Sequence, residues 1–566
     1  MIIRMLTVIT RMHRMIFVLP WMKLVYGVSE EGRMRQRRMK LLDLIDQKLT
    51  EKLDATHHKA DILEEGTAIY KHREWRGLKD TAYDFSQWAR LWGILLKWAV
   101  PKAPQNVKAI WRYRWMYHYL TVPSFFDRLC ANMKGADLRA ARNNLNYLAA
   151  NVTQTFNTIF DADRNLHPGS AKAEELNKKI ICVDELLPSL LGKGFPNCET
   201  ILFQEYAMYL PSVIQQHSPV HYINQMEIHG LPADVCPLPS FEAGLAIEND
   251  FPLIGCCMLT SNMPCDGSIM TSMIQDRRIG LPTQPLNIPL RWKREEVQEY
   301  AVAEMQSAIE FIEKHTGEKF DWDALKEGCE IWNEQNKAKF EKWDLNRTDI
   351  PPHTGASAWL YRIFEHQAVP GDPKALANDR KVNKYLEEQV AKGICPKEIR
   401  HRAIIWNTPC NNYANFNNWL LECWGIDSVC EMIDLHGSEL IDTSTHESML
   451  YGLAKMYQTS TMRAHTKGGY EVMYDDLWRK YEEFHGDMII MFDQISCKGV
   501  GAISGLFEEG AQQRGIKMCI VRQDLMDPTS ISRKDMRRDV NVFMQNVMGE
   551  EPLDPTLVDF DDDLSW

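Results

Sequence analysis

Met488-Ile489-Ile490-Met491-Phe492-Asp493-Gln494-Ile495-Ser496-Cys497-Lys498-Gly499-Val500-Gly501 is the stretch that decides the fold. Five successive apolar residues are too short for a core helix and suit a strand buried on both faces. The polar residues and glycines behind them predict a loop leaving the strand's carboxyl end. Working outward, the same grammar returns at Phe251–Leu259, Ala403–Trp406, Val429–Ile433 and Met518–Val521. Helical periodicity occupies Arg294–Lys314, Trp322–Trp343 and Asp475–Phe484 between them. Buried strands spaced by helices predict an α/β fold with parallel sheets covered on both faces. Right-handed crossovers then gather the strand carboxyl ends, and their loops, on one edge where ligands collect.

Two such units are expected, 181–355 and 396–566. A helical connection over 356–395, centred on Asn378–Lys392 and punctuated by Pro351, Pro352, Pro370 and Pro373, joins them. Residues 1–180 read as a helical N-terminal extension. Leu41, Leu42, Leu44, Ile45, Leu49 and Leu53 make a helical stripe, and Pro101 and Pro104 split the Trp-rich stretch Trp75–Trp115 into two helices. Lys97, Lys102, Lys108, Arg112 and Arg114 lie between those rings. Such interleaving can hold single strands, but it also describes the wet edge of a helix whose rings face a core. No internal repeat or low-complexity segment is visible, and Asp554–Asp563 is an acidic tail.

Size and charge bound the function. The chain has 566 residues, 65 Lys and Arg against 77 Asp and Glu, and a net charge of −12. That length calls for about three or four structural units. The acidity argues against coating nucleic acid, and no nucleic-acid partner is expected. Met1–Tyr26 contains Arg4, Arg11, Arg14 and Lys23, too many charges for a membrane span. It reads as a loosely ordered tail or an upstream start, with Met34 or Met39 opening a cleaner helix, and no membrane attachment is expected. Fourteen cysteines in a chain this long are too sparse for a disulfide scaffold. They read as reduced thiols of a cytoplasmic protein.

Three of the cysteines fall in loops where the sheets should present function. Cys236 lies in Leu231-Pro232-Ala233-Asp234-Val235-Cys236-Pro237. Cys265 lies in Thr260-Ser261-Asn262-Met263-Pro264-Cys265-Asp266-Gly267-Ser268, and Cys497 in the opening stretch beside Lys498. A thiolate near a helix N-terminus and a lysine is favoured in its charged form, which suits nucleophilic attack or metal binding. None has double CxxC spacing, so only the fold can bring them together. Taken singly, each reads as an inert packed thiol, as free cysteine commonly is. Cys198 and Cys410, in turn-like contexts, are substitute candidates, whereas Cys256 and Cys257 read as core. His401, His436, His446, His465 and His485 show no metal-binding grouping, and Gly499, Gly501 and Gly505 match no phosphate-binding fingerprint.

In order along the chain, the blocks Gly194–Glu199, Asp234-Val235-Cys236, Pro264-Cys265-Asp266-Gly267, Thr316–Asp321, His401-Arg402-Ala403-Ile404, Gly486–Lys498 and Asp524–Met548 resemble the 2-hydroxyacyl-CoA dehydratase and benzoyl-CoA reductase family. The likeness is greatest to subunits of the 2-hydroxyglutaryl-CoA dehydratase type and covers roughly residues 190–550. The resemblance implies two Rossmann-like lobes and a [4Fe–4S] cluster held by thiolates, matched here by Cys236, Cys265 and Cys497. It implies radical dehydration of an (R)-2-hydroxyacyl-CoA after one-electron activation by an ATP-hydrolysing iron–sulfur activator. It also implies a homologous second subunit, and a flavin is left open as a further cofactor. Where the family usually has His-x-Arg-Ser-Cys-Lys, this chain has Phe492-Asp493-Gln494-Ile495-Ser496-Cys497-Lys498. That departure keeps open an electron-relaying subunit, an ATP-driven aryl-CoA reductase subunit and a cluster-free scaffold. Under any of these, the extension before residue 180 is expected to dock on a partner.

Overall fold

The computed structural model describes residues 76–560, apart from 185–188, 203, 262–266, 268–276, 290–293, 368–369, 396, 409, 436–438 and 461–468. The proposed tail, the alternative starts, the stripe from Leu41 to Leu53, Trp75 and Cys265 all lie outside the described residues.

Two four-stranded parallel sheets form the centre of the molecule. The first contains β1 (Ile180–Val183), β2 (Glu199–Leu202), β3 (Cys257–Thr260) and β4 (Thr283–Pro285), in the order β2-β1-β3-β4. The second contains β5 (His401–Trp406), β6 (Ile426–Glu431), β7 (Met488–Gln494) and β8 (Lys517–Gln523), in the order β6-β5-β7-β8. Every pairing is parallel, so the expected α/β class with two parallel-sheet lobes is observed. Both sheets reverse direction of growth at the same place, between their first and third strands. That is the crevice where open α/β sheets bind ligands, outside the strand carboxyl ends.

The residues explain the strands. Met488, Ile490 and Phe492 enter one core, with Ala403, Trp419 and Val521, while Ile489 and Met491 enter another, with Trp406, Leu477 and Phe507. A strand packed on both faces has no polar side, which is why its sequence reads as an uninterrupted apolar run. The run Phe251–Leu259 behaves differently, since only Cys257–Thr260 is strand. Gly255 turns the chain with φ +90°, its N–H donating to Asn177 Oδ1 at 2.6 Å, and a Cβ there would lie 2.7 Å from Cys182 Sγ. Cys256 is therefore half-buried just before the strand rather than inside it.

Helices Gly77–Ala99 and Ala103–Arg112 separate around Pro101, as their prolines predict. Trp98 of the first packs against the chain's own core, whereas Trp111 of the second is exposed. Trp115 and Phe156 share a core with Cys182 and Met258 of the first sheet, and with Leu525 and Met526 beyond the second. Trp115 Nε1 donates to Asp250 O at 2.8 Å, and Lys102 pairs with Asp161 at 2.7 Å. The long helix Gly135–Ala162 is fastened by Arg142, whose Nε donates to Asp84 Oδ1 at 2.6 Å inside the protein. The extension thus continues the core instead of standing apart from it.

Candidate functional site

The loop leaving the second switch point meets a loop of the first lobe that joins two helices, Val220–Ile228 and Pro237–Ile247. In the first lobe, Asp184 follows β1 and its Oδ2 accepts the Ser261 hydroxyl at 3.0 Å, tying the ends of β1 and β3 together. Tyr457, on the helix His446–Thr459, donates its hydroxyl to Ser261 O at 3.2 Å. Cys265 is four residues beyond this point, outside the described residues.

In the second lobe the chain leaves β5 through Asn407, at φ +87°. Asparagine tolerates that left-handed backbone better than most side chains. Its Nδ2 donates to Phe492 O at 2.6 Å, and the Thr408 hydroxyl donates to Gln494 Oε1. Gln523, ending β8, donates from Nε2 to Thr408 O at 3.1 Å, while the Ile495 N–H donates to Gln523 O at 3.1 Å. Ser496 Oγ donates to Asp524 Oδ2 at 2.7 Å, and the other Asp524 oxygen accepts the N–H groups of Met526 and Asp527. Burial lifts the Asp524 carboxyl above its ordinary range, against these hydrogen bonds. Asn407, Thr408, Gln494, Ser496, Gln523 and Asp524 are all buried. The loop that ends in Cys497 is therefore fixed by three strand ends at once, and buried polar groups this well paired specify one arrangement.

Cys236 arrives from the other lobe. It is the N-cap of helix Pro237–Ile247, and its carbonyl accepts Ser240 Oγ at 2.9 Å. Pro237 at the first helical position keeps Cys236 out of the helix and sets the entry angle. Gln494 Nε2 lies 3.8 Å from Cys236 Sγ, with the amide oriented by Thr408 at its oxygen. Cys497 N–H donates to Gln494 O at 3.1 Å, and Cys497 caps the short helix Lys498–Gly501. Lys498 Nζ reaches back to Asp234 Oδ2 at 2.8 Å, and that lysine draws the Asp234 carboxyl below its usual range. Both thiols are half-buried.

The structure thus brings two of the three singled-out cysteines, 261 residues apart in sequence, onto facing loops. The substitutes do not join them. Cys198 precedes β2, at the amino-terminal edge of the first sheet, where burial, Glu318 and Cys256 push its thiol up to about 11. Cys410 is buried against Asn412 and, at 3.8 Å, Met536 Sδ, with burial pushing it up to about 12. Thr408, Gln494 and Asp524 are site residues that a reading of the thiols alone does not single out. Among the described residues, no three His, Cys, Asp or Glu side chains form a metal-binding group. The donors that do converge, two half-buried sulfurs at helix N-termini with an amide N–H on one of them, fit a soft, thiolate-bound metal group better than a hard cation.

No curated protein matches the chain. The family model described as "2-hydroxyglutaryl-CoA dehydratase, D-component" matches residues 206–547, which include the Cys236 and Cys497 loops and strands β3 to β8. With more than half of its length matched, the chain belongs to the 2-hydroxyglutaryl-CoA dehydratase D-component family.

Proposed function

We propose that the chain is a subunit of an iron–sulfur 2-hydroxyacyl-CoA dehydratase and that Cys236, Cys265 and Cys497 hold a [4Fe–4S] cluster. The observation that carries this is the meeting of the Cys236 and Cys497 loops, joined by Gln494 and by the Asp234–Lys498 pair, in a member of this family. When bound, such a cluster supplies one-electron chemistry and, with three protein ligands, an iron open to an oxygen donor. The chain's own residues supply geometry. Thr408, itself held through its carbonyl by Gln523, orients the Gln494 amide, Gln494 steadies the Cys236 sulfur, and Ser496 with Asp524 fixes the backbone that carries Cys497.

The substrate class is an (R)-2-hydroxyacyl-CoA. An electron from an ATP-hydrolysing activator makes the thioester carbonyl a ketyl radical, the 2-hydroxyl leaves, a β-proton is lost and the electron returns. The net change is loss of one water. A homologous second subunit completes the enzyme, and a cytoplasmic setting fits thiols kept reduced. Among the described residues no helix is long and apolar enough to cross a membrane.

The test is iron, acid-labile sulfide and a visible spectrum on protein purified without air beside its partner subunit. Iron and sulfide in equal amounts, with absorbance lost in air, are expected. Cys236→Ala and Cys497→Ala should lower iron and activity together, while Cys410→Ala and Cys256→Ala retain iron. Unchanged iron in both of the first two variants would sink the ligand assignment. Colourless, iron-free protein would favour the scaffold reading, and stoichiometric consumption of electrons would favour an aryl-CoA reductase.

A further inference from the structure

A second cleft, of about 660 Å³, lies away from the Cys236–Cys497 junction, against edge strand β2. Its walls are the helix Gly135–Ala162, the turn Ser189–Gly194, the start of β2 and the first turns of the helix Pro373–Ala391. The volume is within the ~300–1,000 Å³ of small-molecule sites. None of its lining residues belongs to the junction described above.

The charge on its walls is unbalanced. Arg90, Lys193, Lys374 and Lys381 face Glu199 and Asp372, four cations to two carboxylates. Both carboxylates already have partners. Glu199 Oε2 accepts the Thr158 hydroxyl at 2.7 Å, and Asp372 accepts Tyr147 Oη at 2.7 Å and the Lys374 N–H at 2.9 Å. Among the described residues, none of the four cations forms an ion pair. Lys381 spends one hydrogen bond on Asn143 Oδ1 at 2.7 Å. Burial draws the Lys193 ammonium down against the attraction of Asp372, and burial followed by Arg90 does the same to Lys381. Arg90 and Lys381, both on the cleft wall, therefore repel each other, and Lys193 is partly dehydrated. A bound anion relieves both costs. Low-dielectric walls of one sign also focus the field on such a ligand. The remaining wall from Asn143 to Gln154 is rich in amides and hydroxyls, which suit an oxygen-rich organic body more than a bare ion.

We infer that this cleft binds a free organic diphosphate of nucleotide size, separate from the dehydration site. Arginine and lysine together recognise diphosphates through charge-assisted hydrogen bonds. Titration calorimetry of ADP into the full chain tests it. Saturable binding is expected. In Arg90→Gln/Lys381→Gln, two exposed side chains whose loss leaves the core intact, affinity should fall by about tenfold or more, as loss of a charged hydrogen bond implies. Cys497→Ala should bind ADP as the unaltered chain does. The inference is overturned by no saturable binding at millimolar ADP, by unchanged affinity in the double variant, or by loss of binding in Cys497→Ala. Displacement of ADP by equimolar coenzyme A would overturn it as well, by giving the cleft to the substrate's own diphosphate arm.

Discussion

The two sheets share one strand order but are built from different material. The first uses strands of three or four residues, the second strands of six or seven. Behind the second sheet stands a buried ionic core: Arg362 holds Asp434 through two hydrogen bonds of 2.7 Å and Glu431 at 2.8 Å, and Lys480 donates to the carbonyls of Met432 and Asp434. At the amino-terminal edge of the first sheet the filling is thiol, with Cys256 Sγ 3.8 Å from Cys257 Sγ and bonded to Ile180 O at 3.3 Å. Strand order alone therefore does not decide how a switch point is used. The longer-stranded lobe fixes its loop through hydrogen bonds between strand ends and so holds Cys497 rigidly. The shorter-stranded lobe offers Cys236 from a helix N-terminus instead.

The sharpest way to break this comparison is Arg362→Ala. It would leave the Asp434 and Glu431 carboxylates buried without their cation, and the loss of stability should be about 3–5 kcal/mol. Urea unfolding measures it, and a loss below about 1 kcal/mol would show that the ionic core does not support the second lobe. Next come Ile490→Val in β7 and Ile181→Val in β1, both fully buried. Each should cost about 0.5–1.5 kcal/mol in thermal unfolding. A silent Ile181→Val beside a costly Ile490→Val would mean that the short-stranded sheet contributes little to the cooperative unit.

A smaller effect is expected where the sheets begin. β1 starts at Ile180, but β5 starts at His401, whose ring lies 3.2 Å from Asp487 and 2.8 Å from Glu550. The hydrogen bond to Asp487, then that to Glu550, raises its pKa despite burial. A histidine raised in the folded state stabilises fully below its unfolded value near ~6.5, and that contribution is lost as pH rises through the folded value. His401→Gln should therefore destabilise most in acid and least in alkali, and an equal loss at both extremes would refute the charged pair. The smallest effect belongs to Lys498→Ala. Its pair with Asp234 links the lobes but is well exposed, so no resolvable change in unfolding is expected at physiological salt. A clear loss would make that contact a structural clasp.

How far each lobe could be read in advance follows the same contrast. Three strands of the second sheet were legible because they carry four or five apolar residues in succession, and the structure lengthens each by only a few residues. The fourth is corrected: β6 is Ile426–Glu431 rather than Val429–Ile433, because pairing with β5 on a buried edge admits Asp427, Ser428 and Glu431, which no apolar run announces. The first sheet was less legible. Glu199-Thr200-Ile201-Leu202 and Thr283-Gln284-Pro285 have too few apolar residues to announce a strand, and they are held by pairing, Ile181 against Thr200 and Cys257, and Met258 against Thr283. The split at Pro101 was visible because proline acts locally. The direction in which Trp115 and Phe156 face was not, because helical periodicity marks an apolar stripe and does not name its partner.

By itself, then, the sequence determined the α/β class, the two-lobe division and the loops that carry Cys236 and Cys497, since all of these rest on local patterns of hydrophobicity, proline and glycine. Only the tertiary structure decided that those loops face each other, that Thr408, Gln494, Gln523 and Asp524 fasten one of them, and that four cations gather beside β2. Those contacts join groups that are far apart along the chain, and no local pattern encodes which distant group a buried polar side chain will meet.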